Sequence, residues 1–151
     1  MRPAWEALER LGSWADFVAF AYRLADALFL QRRDDEALRL TELAEGRASS
    51  QDVETAIGWR RVRAKVLARR GEPAEAERLA REATALAART DYLHYHAQAV
   101  ADLAEILRLS GQSKEPVAVA KEAIRLYEEK GNVVAARTLR DILAALPREG
   151  V

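Results

Sequence analysis

Apolar residues recur every three or four positions along most of the chain, the period of helices that are buried on one side. The stripe Trp5, Leu8 and Leu11 predicts a short first helix, closed by Gly12. Phe17, Phe20, Leu24, Ala27 and Leu28 predict a second, from about Trp14 to Arg32. Ser13 is placed to cap it, with Asp16 three residues on. Asp34-Asp35-Glu36 puts negative charge at the start of a helix continuing to about Gly46, where the helix dipole favours it. Residues 47–51 read as a polar turn, and Asp52 as the cap of a helix reaching Arg70. Further helices are predicted from Pro73 to Arg89, Tyr92 to Ser110, Ser113 to Lys130, and Asn132 to Leu146 before Pro147. No stretch alternates in the manner of a strand. The expected class is all-α, antiparallel helical hairpins with about seven helices.

The segment from Trp59 to Leu86 organises this pattern. Gly71 supplies a left-handed stop for one helix, and Pro73 suits the first turn of the next. Ala76, Ala80 and Ala83 share one helical face, and small side chains let helices approach closely. The motif returns at an offset of 40. Leu67 matches Leu107, Gly71 matches Gly111, Ala64 matches Ala104, and Ala80, Ala83 and Leu86 match Ala120, Ala123 and Leu126. Upstream, an offset of 37 pairs Leu30 with Leu67 and Ala27 with Ala64. Ala37 and Ala44 then match the second helix if the first turn is two residues shorter. A hairpin repeated at such a period is the mark of a solenoid; a generic bundle with coincident alanines is the competing reading. The expected organisation is an N-terminal helix or repeat remnant at 1–13, hairpins at about 14–48, 52–89 and 92–130, a capping helix at 132–146 and a tail at 147–151.

These residues resemble the tetratricopeptide repeats. That family carries a small residue within the first helix, a large one three positions on, a turn glycine, and alanines in the second helix. Here the matches are Ala64, Leu67, Gly71, Ala76 and Ala83; then Ala104, Leu107, Gly111 and Ala123, with Pro116 where an alanine belongs; then Ala27, Leu30, Ala37 and Ala44. Ala136 and Leu139 mark the final helix as a half repeat. The period exceeds the family's 34 residues, so the helices are longer than usual. AKVLARRG, EAERLAREA and RLYEEKGN are similar to the C-terminal helical regions of large bacterial signalling proteins, such as adenylate/guanylate cyclase–ATPase fusions. That resemblance implies a fragment of a larger regulator. The family's geometry, a right-handed solenoid, implies a concave groove lined by the first helix of each hairpin. Carried over, the groove residues are Leu24, Leu28 and Gln31, then Arg61, Lys65 and Arg69, then Gln98, Glu105 and Arg108, with Arg137 from the last helix. Gln98 and Asp102 stand where chaperone-binding members carry a basic carboxylate clamp, so that mode is not implied.

Composition narrows the chemistry. Lys plus Arg and Asp plus Glu are both 24, so the chain has no overall bias toward polyanions. It has no cysteine, which excludes disulfides and thiolate chemistry. Asp16, Arg23 and Asp26 interrupt the most apolar segment, and Glu6 and Glu9 interrupt the N-terminal one. Neither a membrane span nor a signal peptide is expected, and a cytoplasmic location is. His94 and His96 point about 200° apart on a helix and cannot share a metal there; only an extended entry turn would bring them together, and ordinary polar residues at a helix start are the expected reading. Phosphate loops and nucleophile elbows are missing, so no enzyme, cofactor or metal is expected. One feature is asymmetric: residues 58–70 hold Arg60, Arg61, Arg63, Lys65, Arg69 and Arg70 with no acid. Two readings stay open for it: a basic groove for an acidic peptide or helix, or arginines answering acids such as Glu75 and Glu82 on the neighbouring helix. Nucleic-acid binding is weaker, because no aromatics interleave with the arginines. Trp5, Trp14, Phe17 and Phe20 form a candidate self-association face.

Overall fold

The computed structural model describes residues 14–47, 49, 52–111 and 114–145, together with Glu6 and Arg10. All of its regular elements are helices: α1 (Trp14–Leu30), α2 (Asp34–Arg47), α3 (Val53–Arg69), α4 (Pro73–Ala88), α5 (Leu93–Leu109), α6 (Lys114–Glu129) and α7 (Val133–Ala145). Apart from Glu6 and Arg10, the expected helix before Gly12, the Ser13 cap, the Leu146 end of the last helix and the tail at 147–151 lie outside the described residues. Successive helices pack in pairs, α1 on α2, α3 on α4 and α5 on α6, with α7 against α6. Neighbouring pairs meet through α2 and α3 and through α4 and α5. The first helices also meet one another, α1 with α3 and α3 with α5.

Local chemistry explains the boundaries. The Asp52 carboxylate accepts a hydrogen bond from the Thr55 amide at 3.0 Å, capping α3. Pro73 occupies the first position of α4, where its missing N–H costs nothing. Three turns close on a left-handed glycine, Gly71, Gly111 and Gly131. In the second of two bonds that satisfy the orphan carbonyls, the Glu72 amide donates to Leu67 and the Asn132 amide to Tyr127. The turn between α1 and α2 makes the same bonds, Arg32 to Phe29 and Arg33 to Leu28, but its left-handed residue is Arg32, with φ 64°. That conformation costs a non-glycine residue about 1–2 kcal/mol.

Arg32 therefore corrects the register of the first repeat. It is structurally equivalent to Gly71, an offset of 39, and the first turn is not two residues shorter. The buried partners of Ala64 and Leu67 are Ala25 and Leu28, not Ala27 and Leu30. Ala27 is exposed, and Leu30 is 75% exposed. Ala37, Leu40 and Ala44 keep the same offset to Ala76, Leu79 and Ala83, and all six are buried. Pro116 is buried at the position equivalent to Ala76. It stands in the first turn of α6, where a proline fits the helix.

One core runs through α1 to α5, with Phe17, Leu28, Leu40, Trp59, Val66, Leu79 and Leu107 among its members. A second joins α5, α6 and α7 through Val100, Ala123, Leu126, Ala136 and Leu139. Small residues set the closest approaches. A Cβ built on Gly58 would lie 2.3 Å from the Tyr22 ring, so α1 and α3 meet there only because α3 carries no side chain.

Candidate functional site

The face formed by α1, α3 and α5 brings half of the predicted groove residues together in its clefts. It divides into a polar cleft toward the start of these helices, a belt of ion pairs, and an apolar cleft at their ends.

The polar cleft, about 350 Å³, is lined by Tyr22, Arg23, Asp26, Arg61, Val62, His94, Tyr95 and Gln98. Beside it, the Tyr22 hydroxyl donates to the Glu54 carboxylate, and Arg23 donates to the same oxygen at 2.8 Å. Glu54 and Gly58 are one helical turn apart, so the turn that leaves room for the Tyr22 ring also supplies its acceptor. Burial, then the neighbouring Glu54, pushes the Tyr22 hydroxyl up to about 12. Burial pushes the Glu54 carboxyl up as well, but Tyr22, Tyr95 and Arg23 outweigh it and hold it below its ordinary range.

The belt answers the question posed by the basic helix. Arg61 donates to Asp102 at 2.6 Å and to Gln98 at 2.8 Å. Lys65 pairs with Asp26 at 2.5 Å, and Arg69 lies 3.4 Å from Asp34 while donating to the Phe29 carbonyl at 2.8 Å. Arg60 pairs with Glu82, Arg63 with Glu45, and Arg70 with Asp35. All six cations of residues 58–70 thus face a carboxylate of another helix. Glu82 is one of the acids expected to answer them. Glu75 instead pairs with Arg78 on its own helix. The guanidinium groups also stack on aromatic rings: those of Arg60 and Arg63 lie over Trp59 at 4.2 and 4.4 Å, and that of Arg69 lies over Phe29 at 3.6 Å. The Arg61–Asp102 pair is the most enclosed of these, its side chains 14% and 17% exposed. Burial lowers the Arg61 pKa, but the Asp102 carboxylate overcomes it and the net direction is upward.

The apolar cleft, about 610 Å³, is lined by Phe29, Leu30, Arg32, Lys65, Ala68, Arg69, Glu105, Ile106 and Leu109. Leu30 and Leu109 stand out into solvent, 75% and 56% exposed. Of the predicted groove residues, Lys65, Arg69 and Glu105 line this cleft, and Arg61 and Gln98 line the polar one. Leu24 is half-buried against the core, and Gln31 is exposed. Leu28, expected as an apolar anchor of the groove, is instead core, 3% exposed. The two-residue shift of register turns Leu28 inward and leaves Leu30 outside. Arg108 pairs with Glu105 at 2.6 Å, and Arg137 is exposed on α7 and lines neither cleft. Phe29, Leu30, Arg32, Ala68 and Leu109 were not among the expected residues. For Phe29, Leu30 and Arg32 the signal that could have found them is the 39-residue offset of Ala37, Leu40 and Ala44 to Ala76, Leu79 and Ala83, which carries the first turn into register with the second.

Of the candidate self-association residues, Phe17 is buried and Phe20 is 51% exposed, whereas Trp5 and the Trp14 side chain lie outside what the structure describes. Among the described residues, no group of three or more His, Cys, Asp or Glu could hold a metal ion, and no helix is long and apolar enough to cross a membrane. Comparison with known protein families, curated proteins and solved structures finds no significant match to this chain.

Proposed function

We propose that this chain is a non-catalytic interaction module, a right-handed solenoid of the tetratricopeptide kind. On this reading the face of α1, α3 and α5 is its concave groove and holds a peptide or helix of a partner protein. Contacts between successive first helices support the solenoid, as does the near-constant offset of 39 and 40 residues between equivalent buried positions. The observation that carries the binding site is the apolar cleft. Leu30 and Leu109 flank a cavity of about 610 Å³, within the roughly 300–1,000 Å³ of ligand clefts, and exposed apolar surface of this kind marks interaction sites. Internal pairing of the basic helix moves the site away from Arg61, Lys65 and Arg69 as free electrostatic contacts. It also removes the unpaired basic stripe on which duplex binding would rest. A role inside a larger cytoplasmic signalling protein follows from the resemblance alone and forms part of the proposal.

The test is selection from a random-peptide phage library on the immobilised protein, with the enriched peptide then titrated into isotope-labelled protein. Amide shifts clustered at Leu30, Ala68 and Leu109 are expected. Shifts clustered on α2, α4 or α6, or no enriched peptide at all, would overturn the reading.

A further inference from the structure

We infer that Arg32 is a specificity residue of the apolar cleft, and that the cleft selects an aliphatic segment carrying a side-chain carboxylate. The inference rests on the interaction reading above and names the chemistry of the occupant.

Two independent observations meet at this residue. The first is conformational. Two of the three hairpin turns, and the turn before α7, place glycine at the left-handed position, whereas the first hairpin turn places a charged side chain there, Arg32 at φ 64°. Glycine would complete the same pair of turn hydrogen bonds without strain. Strain retained at one member of a repeated turn points to a use for that side chain. The second is electrostatic. The cleft holds the cations Arg32, Lys65 and Arg69 and the anion Glu105. Lys65 is answered by Asp26, Arg69 by Asp34 and Glu105 by Arg108. Those three pairs cancel, and Arg32, exposed, has no acidic partner among the described residues. Among the described residues, the Arg32 guanidinium therefore stands uncompensated at the rim of a cleft whose walls include Phe29, Leu30, Ala68 and Leu109. A docked aliphatic segment would exclude water from that rim, and a guanidinium there offers a planar fork that matches a carboxylate. A basic segment would meet an unpaired like charge, so the same residue discriminates against it.

The substitution Arg32→Gly separates use from structure, because the two effects have opposite signs. It relieves the left-handed strain, so the melting temperature should stay or rise. Affinity for the peptides selected on the wild-type protein should fall about fivefold, the upper range for one exposed charge pair, and Arg32→Lys should recover part of it. Parallel selections from the random-peptide library on the wild-type protein and on Arg32→Gly supply the second arm. Aspartate or glutamate beside aliphatic residues should be enriched in the wild-type pool and not in the variant pool. Equal acid content in the two pools, or wild-type peptides that bind Arg32→Gly undiminished at the cleft, would overturn the role of Arg32 and leave the cleft reading standing. Peptides that bind away from Leu30 and Leu109 would overturn both.

Discussion

At the scale of single residues, packing on the α1–α3 contact hangs on an absent side chain. A methyl group on Gly58 would sit 2.3 Å from the Tyr22 ring, closer than atoms approach without displacement. Gly58→Ala should therefore destabilise the protein by roughly 1–3 kcal/mol despite the better helix propensity of alanine. Urea denaturation measures it, and the added substitution Tyr22→Ala should abolish most of the extra cost of the methyl group, since the clash is gone. The hydroxyl of the same tyrosine gives a second handle. Its pKa of about 12 lies above the ordinary value near 10, so the fold favours the neutral form. The stability this supplies is complete below pH about 10 and is lost as pH rises through about 12. In a titration of tyrosinate absorbance, Tyr22→Phe should remove a late step. An unchanged curve at the highest pH would count against the Tyr22–Glu54 contact. Glu54 has the opposite sense: its lowered pKa adds stability above the ordinary glutamate value, which fades as pH falls below it.

At the scale of elements, the helices and most of their ends were legible because they are written in local chemistry. Asp52, Pro73 and the three turn glycines each act within a few residues of their own position. The second and third hairpins were legible in the same way, since both carry the glycine that marks the turn. The first was misread by two residues for a physical reason. A left-handed arginine carries no sequence signature, so the pattern aligns Leu30 with Leu67 and puts Leu28 in the groove, whereas Leu28 is the equivalent of Leu67 and is core. The error propagated into the site, because one helical step of two residues turns a side chain by about 200°. The pairing of the basic helix was not legible either. Arg61–Asp102 and Lys65–Asp26 join residues 41 and 39 apart, and only the packing of α3 between α1 and α5 brings them together. Small residues between helices give the prediction that belongs here. Ala83 is fully buried where α4 meets α3 and α5. Ala83→Leu should overpack that junction and cost roughly 1–3 kcal/mol, read as a lower denaturation midpoint. An unchanged midpoint would show that the hairpins do not pack in this register.

At the scale of the whole molecule, the first helices form a face on which Arg61, Lys65 and Arg69 are answered from within, and whose exposed Leu30 and Leu109 stand at one end. Reversing Arg61, Lys65 and Arg69 to glutamate would break three internal pairs at once, so such a variant reports on folding before it reports on binding. Leu30 and Leu109 are better probes, because both project into solvent and neither belongs to the core. The most direct measurement of the account is the dissociation constant of a library-selected peptide for the wild-type protein and for the double variant Leu30→Ser, Leu109→Ser, with matching circular dichroism melts for the two proteins. Burying two leucines contributes several kcal/mol in full and less in a partly open cleft. The folded double variant should lose at least about tenfold in affinity, or 1.4 kcal/mol. Affinity within about twofold of wild type in the folded double variant would contradict it and place the partner on another face.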